Sequence, residues 1–112
     1  MDQKNKADAG KSNPILLEVG CAHALAAVAR VLDYGAEKYE PNSWREVEST
    51  RYNAAARRHR IARDMGETRD MESGLLHLAH EAANILFQLE LLIQRDGVDF
   101  TTFKAPPTDH RT

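Results

Sequence analysis

Cysteine is almost missing from this 112-residue chain. Cys21 stands alone, so no intrachain disulfide can form, and its apolar neighbours mark it as a small buried hydrophobe in a reducing compartment. Paired cysteines for zinc, a P-loop and a glycine-rich dinucleotide fingerprint are all absent. A surplus of one charge sign is lacking too: the formal net charge is −2, which removes any global attraction to nucleic acid or an anionic membrane. No long hydrophobic run is uninterrupted, because the apolar-rich stretch from Ile15 to Leu32 holds Glu18, His23 and Arg30. There is no strand pattern, internal repeat or low-complexity segment. A soluble, cytoplasmic, all-α protein is expected, with neither membrane nor nucleic acid as its partner.

What is present is ordinary globular composition, 42% hydrophobic and 29% charged, enough for one domain with a modest core. Three parts are predicted: a flexible segment over 1–12, a helical domain over 13–96, and an extended or disordered tail over 97–112. Asn13 and Pro14 read as a helix start, and the alanine-rich run continues to about Tyr34. Gly35 is the expected stop or kink, followed by a short turn at Glu37 to Glu40. A loop from Pro41 to Thr50 carries Asn42, Arg45 and the sole tryptophan, Trp44, a residue that most often anchors packing in such a place. A second helix spans about Arg51 to Met65. Within it Ala54, Ala55, Ile61 and Ala62 flank Arg58, which predicts an inward guanidinium in need of an anionic partner, either a carboxylate or a ligand phosphate.

The chain is organised around a third helix, expected from Asp70 to Gln94. Leu75, Leu78, Ala82, Ile85, Leu89 and Ile93 belong to an apolar surface that covers most of its circumference. The gap is filled by Ser73, His77, His80, Glu81, Asn84 and Gln88 at spacings of three and four, with no Lys or Arg before Arg95. Such a stripe is either a satisfied polar seam between helices or one wall of a ligand site. An apolar surface this wide also predicts a homo-oligomer, dimer or tetramer, completing a small bundle of three to four helices. His77, His80 and Glu81 do not reproduce a zinc helix, since the histidines are three apart and in the wrong order. His80 with Asn84 is not the His-Asp doublet of metal phosphohydrolases. What remains is a carboxylate and amide set, Glu37, Asp70, Glu72, Glu81 and Asn84, whose oxygens suit Mg²⁺ or Mn²⁺. Lys38, Arg45 and Arg58 are placed to neutralise the phosphates that complete the shell of such an ion.

An ordered series of short motifs adds a family. Asp8, Gly10 and Lys11 are followed by Gly35-Ala36-Glu37-Lys38-Tyr39, then Asn42, Trp44 and Arg45, then Arg58-His59. Gly66-Glu67, Asp70, Glu72-Ser73-Gly74, His77, His80 and Asn84 complete it. The pattern, over about residues 8 to 95, resembles the phage dATP/dGTP diphosphohydrolase amino-terminal-domain family. The resemblance implies an all-α fold related to MazG-like nucleoside triphosphate pyrophosphohydrolases, which cut between the α and β phosphates using Mg²⁺ held by ExxE and ExxD carboxylates. Glu37-Lys38-Tyr39-Glu40 would stand for the first motif and Glu81-Ala82-Ala83-Asn84 for the second, with Asn84 replacing the aspartate.

The resulting expectation is a Mg²⁺-dependent pyrophosphohydrolase of purine deoxynucleoside triphosphates in the host cytoplasm, releasing the monophosphate and pyrophosphate. Glu37, Glu72 and Glu81 would hold metal, supported by Asn84 and Asp70. Glu72, His77, His80 and Glu81 form the catalytic set, with a histidine orienting or deprotonating water. Lys38, Arg45, Arg58 and His59 would contact substrate, and Trp44 or Tyr39 would stack on the base. The alternative is a non-catalytic phage nucleotide-binding protein, a sponge or regulator, with the same pocket.

Overall fold

The computed structural model describes residues 11–102. These residues form four α-helices, α1 (Pro14–Gly20), α2 (Ala22–Lys38), α3 (Ser49–Asp64) and α4 (His77–Asp96), with a 3₁₀ turn at Ser43–Glu46. Among the described residues there is no strand, and the one bridge pairs Arg69 with Leu76. The all-α expectation holds.

The Asn13 side chain accepts a hydrogen bond from the Ile15 amide at 3.0 Å, and Pro14 opens the first turn, so α1 starts where the sequence indicated. Its continuation differs. The chain bends by 86° at Cys21, between α1 and α2, and then runs unbroken through Gly35 to Lys38. Gly20, a weak helix former, closes the first segment. Gly35 sits in an intact final turn, its carbonyl accepting from the Tyr39 amide at 2.8 Å. Cys21 is exposed at this corner rather than buried. Among the described elements α1 touches only α2, and Ile15, Leu16, Leu17 and Val19 are exposed.

The core lies where α2 and α3 meet α4. Val31, Ala56, Ala79, Ala83 and Leu91 are buried, with Val28, Leu75 and Phe87 packed around them. Three of the five are alanines, and short side chains at these positions let helix backbones approach closely. Trp44 stacks on Phe87 with ring centroids 4.5 Å apart, and the Tyr52 hydroxyl donates to the Trp44 carbonyl at 2.7 Å. Arg95 donates to the Arg45 carbonyl at 2.7 Å. The loop is thereby fastened to α4, which fits the packing role expected of its tryptophan.

Two sequence expectations are corrected here. The third helix begins at His77 rather than Asp70, and residues 66–76 form a folded loop. Gly66 and Gly74 take φ of +95° and +77°, values that a helix does not allow. Asp70 uses its carboxylate to accept the Ser73 amide at 2.8 Å, a local bond that competes with helix formation. The second correction concerns Arg58, which is exposed. The face of α3 that meets α4 carries Tyr52, Ala56, His59 and Arg63, so the arginine that turns toward the helix interface is Arg63.

Among the described residues no single helix is long and apolar enough to cross a membrane.

Candidate functional site

The folded loop delivers a carboxylate and a hydroxyl to the first turn of α4, where His77 and His80 are only 3% and 8% exposed. From α3, His59 reaches into the same place. Its Nδ1 lies 2.8 Å from the Nδ1 of His77, and its ring stacks on that of His80 with centroids 4.5 Å apart. The far edge of His77 is fixed as well, because its Nε2 contacts Glu67 Oε1 at 2.6 Å. An ionised carboxylate only accepts, so Nε2 carries the proton and a neutral His77 presents a lone pair at Nδ1. His80 Nε2 meets the Ser73 hydroxyl at 2.7 Å.

Electrostatics keep this cluster in definite states. Burial pushes His59 below its ordinary value, and the neighbouring His80 and His77 push the same way. Burial also lowers His80, against an opposing pull from Asp70. For Asp70 burial acts upward, but hydrogen bonds from Ser73 and the nearby histidines outweigh it, leaving the carboxyl below its usual range. Near neutral pH His59 and His80 are thereby held uncharged beside the ionised carboxylate of Asp70.

A groove of about 920 Å³ opens next to the cluster, with His80, Asn84 and Phe87 of α4 among its lining residues. Basic Lys38, Arg51 and Arg58 line it together with the rings of Tyr39 and Trp44. Lys38 bonds Glu72 at 2.6 Å and sits 5.6 Å from the ring centres of both Tyr34 and Tyr39. The hydrogen bond from Lys38, supported by Tyr34, holds the Glu72 carboxyl below its ordinary value. Cationic side chains and flat rings around one floor can accept an anionic ligand with an aromatic part.

The residues singled out in the sequence are sorted accordingly. Asp70, His77, His80 and His59 come together, Lys38 pairs with Glu72, and Trp44 and Arg58 share the groove wall. Arg45 instead lies over the Trp44 ring at 5.5 Å. Glu37 is exposed on α2. Glu81 accepts two bonds from Arg63, at 2.8 and 3.1 Å, and lines a different groove between α3 and α4. The amide nitrogen of Asn84 donates to the His80 carbonyl at 2.7 Å. The five oxygen donors expected for Mg²⁺ thus do not converge into an all-protein cage. Glu67, Arg63, Tyr34 and Arg51 were not singled out for a role. Glu67 stands ten residues before His77 across a non-helical loop, where spacing along a helix carries no information.

The family described as dATP/dGTP diphosphohydrolase, N-terminal, matches residues 1–100 of this chain. A dATP/dGTP diphosphohydrolase of Salmonella phage PMBT28 is 35% identical over 78 residues, covering 70% of the chain and 27% of that protein. The chain therefore spans about a quarter of the length of the curated relative it matches. No solved structure matches.

Proposed function

The chain belongs to the dATP/dGTP diphosphohydrolase amino-terminal family, and on that premise we propose that it is a nucleotide-handling domain that hydrolyses purine deoxynucleoside triphosphates to monophosphate and pyrophosphate. One observation carries the reading: the groove that gathers Lys38, Arg51 and Arg58 with Tyr39 and Trp44 shares His80 with the histidine–carboxylate cluster. A triphosphate brings negative charge to Arg51 and Arg58, while Lys38 already pairs with Glu72, and a purine brings the flat face those rings accept. His80, which lines the groove and is kept uncharged by burial, is suited to take a proton from water, with the Asp70 carboxylate nearby to support the charge it gains. Cleavage between the α and β phosphates would follow MazG-like chemistry, as the sequence resemblance implies. Mg²⁺ or Mn²⁺ fits only as an ion carried largely by the phosphates, with Asp33 and Glu40 as carboxylates of the groove lining and Glu72 paired to Lys38, and would supply charge neutralisation there. The ligand on this reading is a free nucleotide of the host cytoplasm.

The exposed apolar residues of α1, with Ile61, Ile85, Leu89 and Leu92 on α3 and α4, support assembly as a homo-oligomer, dimer or tetramer.

The test is incubation of the purified chain with dATP and dGTP in Mg²⁺ or Mn²⁺, with products separated by ion exchange. Monophosphate and pyrophosphate are expected. Diphosphate and inorganic phosphate would move the scission to another bond, and no product would end the hydrolytic reading. A second reading, nucleotide binding without turnover, is favoured by the engagement of Glu81 with Arg63 and of Asn84 with a backbone carbonyl. Calorimetry showing binding heat and no product would select it.

A further inference from the structure

We propose that His59, Asp70 and His77 form a binding site for a nitrogen-seeking divalent transition ion, with Zn²⁺ as the reference metal. The ligand atoms of these three side chains lie within 4.8 Å of one another. They come from three separate parts of the fold, α3, the 66–76 loop and the first turn of α4, which only tertiary structure brings together.

The outer contacts favour an ion over a simple hydrogen-bonded pair. His77 is locked from behind by Glu67 at Nε2, which fixes its tautomer and directs the Nδ1 lone pair at His59. A carboxylate behind a histidine is the arrangement that orients metal-binding imidazoles and raises their basicity. Asp70 is held the same way: one oxygen accepts the Ser73 amide, leaving the other for an ion. Two imidazoles and one carboxylate are also the donor mix of transition-ion sites that keep positions open for water. The Nδ1–Nδ1 separation of 2.8 Å must widen to about 3.3 Å to admit Zn²⁺ at about 2.0 Å from each nitrogen. His59 is only half-buried and can make that adjustment. Mg²⁺, which prefers oxygen donors, is a poor match for this trio.

The site does not depend on nucleotide turnover. Chelator-stripped full-length chain is titrated with Co²⁺, followed by its visible d–d absorption, and with Zn²⁺ by calorimetry. One ion per chain is expected, undisturbed by excess Mg²⁺. His59→Gln and Asp70→Asn should each weaken binding at least tenfold. Both residues are less buried than His77, so they test the ligand set without emptying the core. Glu67→Gln, which spares every ligand, should weaken it by about 10- to 100-fold. The exposed His23 on α2 serves as control, and His23→Gln should bind as the parent does. Absence of both signals, parent-like binding by His59→Gln and Asp70→Asn, or a loss that follows His23→Gln would each overturn the site. Zn²⁺ uptake by a chain that gives no product from dATP or dGTP in Mg²⁺ or Mn²⁺, with or without Zn²⁺ bound, would keep the site and remove the hydrolytic reading. Turnover by a chain that takes up no transition ion would do the reverse.

Discussion

His77 and Glu67 form the contact from which the buried cluster is oriented: Nε2 meets a carboxylate oxygen at 2.6 Å, while the opposite ring nitrogen points at His59. One imidazole edge is thus anchored to a loop and the other to a helix. His77 is only 3% exposed, so its truncation leaves a hole and strips His59 of its partner together. His77→Ala should lower unfolding free energy by about 2–4 kcal/mol in urea denaturation, from lost packing and a half-buried polar group left unpaired. A loss below about 0.5 kcal/mol, the usual range of a surface change, would contradict this account of the cluster.

Arg63 and Glu81 make a second polar tie, this one between α3 and α4. The Glu81 side chain is 13% exposed and that of Arg63 35%, so the glutamate loses most when the pair is broken. Arg63→Ala should destabilise the chain by about 1–3 kcal/mol, reduced from the fully buried case because water still reaches the guanidinium. Arg63→Met with Glu81→Leu should restore most of that loss. If the double variant is as unstable as Arg63→Ala, the carboxylate is not what suffers.

Helix periodicity carried the sequence reading as far as helix faces and no further. His77, His80 and Asn84 are indeed the buried polar side chains of α4, and spacing alone placed them on one stripe. Glu81 belongs to the same sequence pattern yet looks toward Arg63, because a helix of 3.6 residues per turn separates neighbours by about 100°. Arg58 and Arg63 are five apart on a helix whose alanines occur on several faces, so composition could not say which one turns inward. The loop over 66–76 was hidden for another reason. Its shape depends on left-handed glycines and on Asp70 bonding its own backbone, which apolar patterning does not register.

The Lys38–Glu72 tie joins α2 to that loop at the surface, and its pH dependence has a definite sign. Glu72 titrates below its ordinary value of 4.5, chiefly because Lys38 donates to it. Its contribution is therefore present above 4.5 and is lost as pH falls through the depressed folded value. Lys38 is raised above its ordinary 10.5 by the same bond, so its share is present below 10.5 and lost as pH climbs past the folded value. In Lys38→Met the Glu72 carboxyl carbon, followed by NMR, should titrate nearer 4.5. An unchanged midpoint would show that the contact does not hold in solution.

Assembly is tested by charge. Leu89 and Leu92 on α4 are 49% and 43% exposed, and Leu89 borders the groove between α3 and α4. If copies of the chain cover this face, Leu89→Glu should convert an oligomer into a monomer by light scattering, at little cost to the isolated fold. A parent chain that scatters as a monomer would remove this part of the proposal.

Binding in the main groove has a built-in reporter, since Trp44 is the sole tryptophan and lines the wall beside Tyr39. Magnesium dATP should change its fluorescence in a saturable way. Arg58 is exposed and, among the described residues, makes no ion pair like that of Arg63, so Arg58→Ala removes charge while leaving the fold alone. Loss of one phosphate contact should raise Kd about tenfold, equivalent to about 1.4 kcal/mol, with the melting temperature unmoved. Trp44→Ala is a poorer probe, because it also breaks the stack on Phe87. Tyr39→Ala avoids that complication: Tyr39 is exposed, so a weakened response there reports on the ligand rather than on the core. Parent-like affinity in both Arg58→Ala and Tyr39→Ala would move the nucleotide out of this groove, whatever the histidine cluster binds.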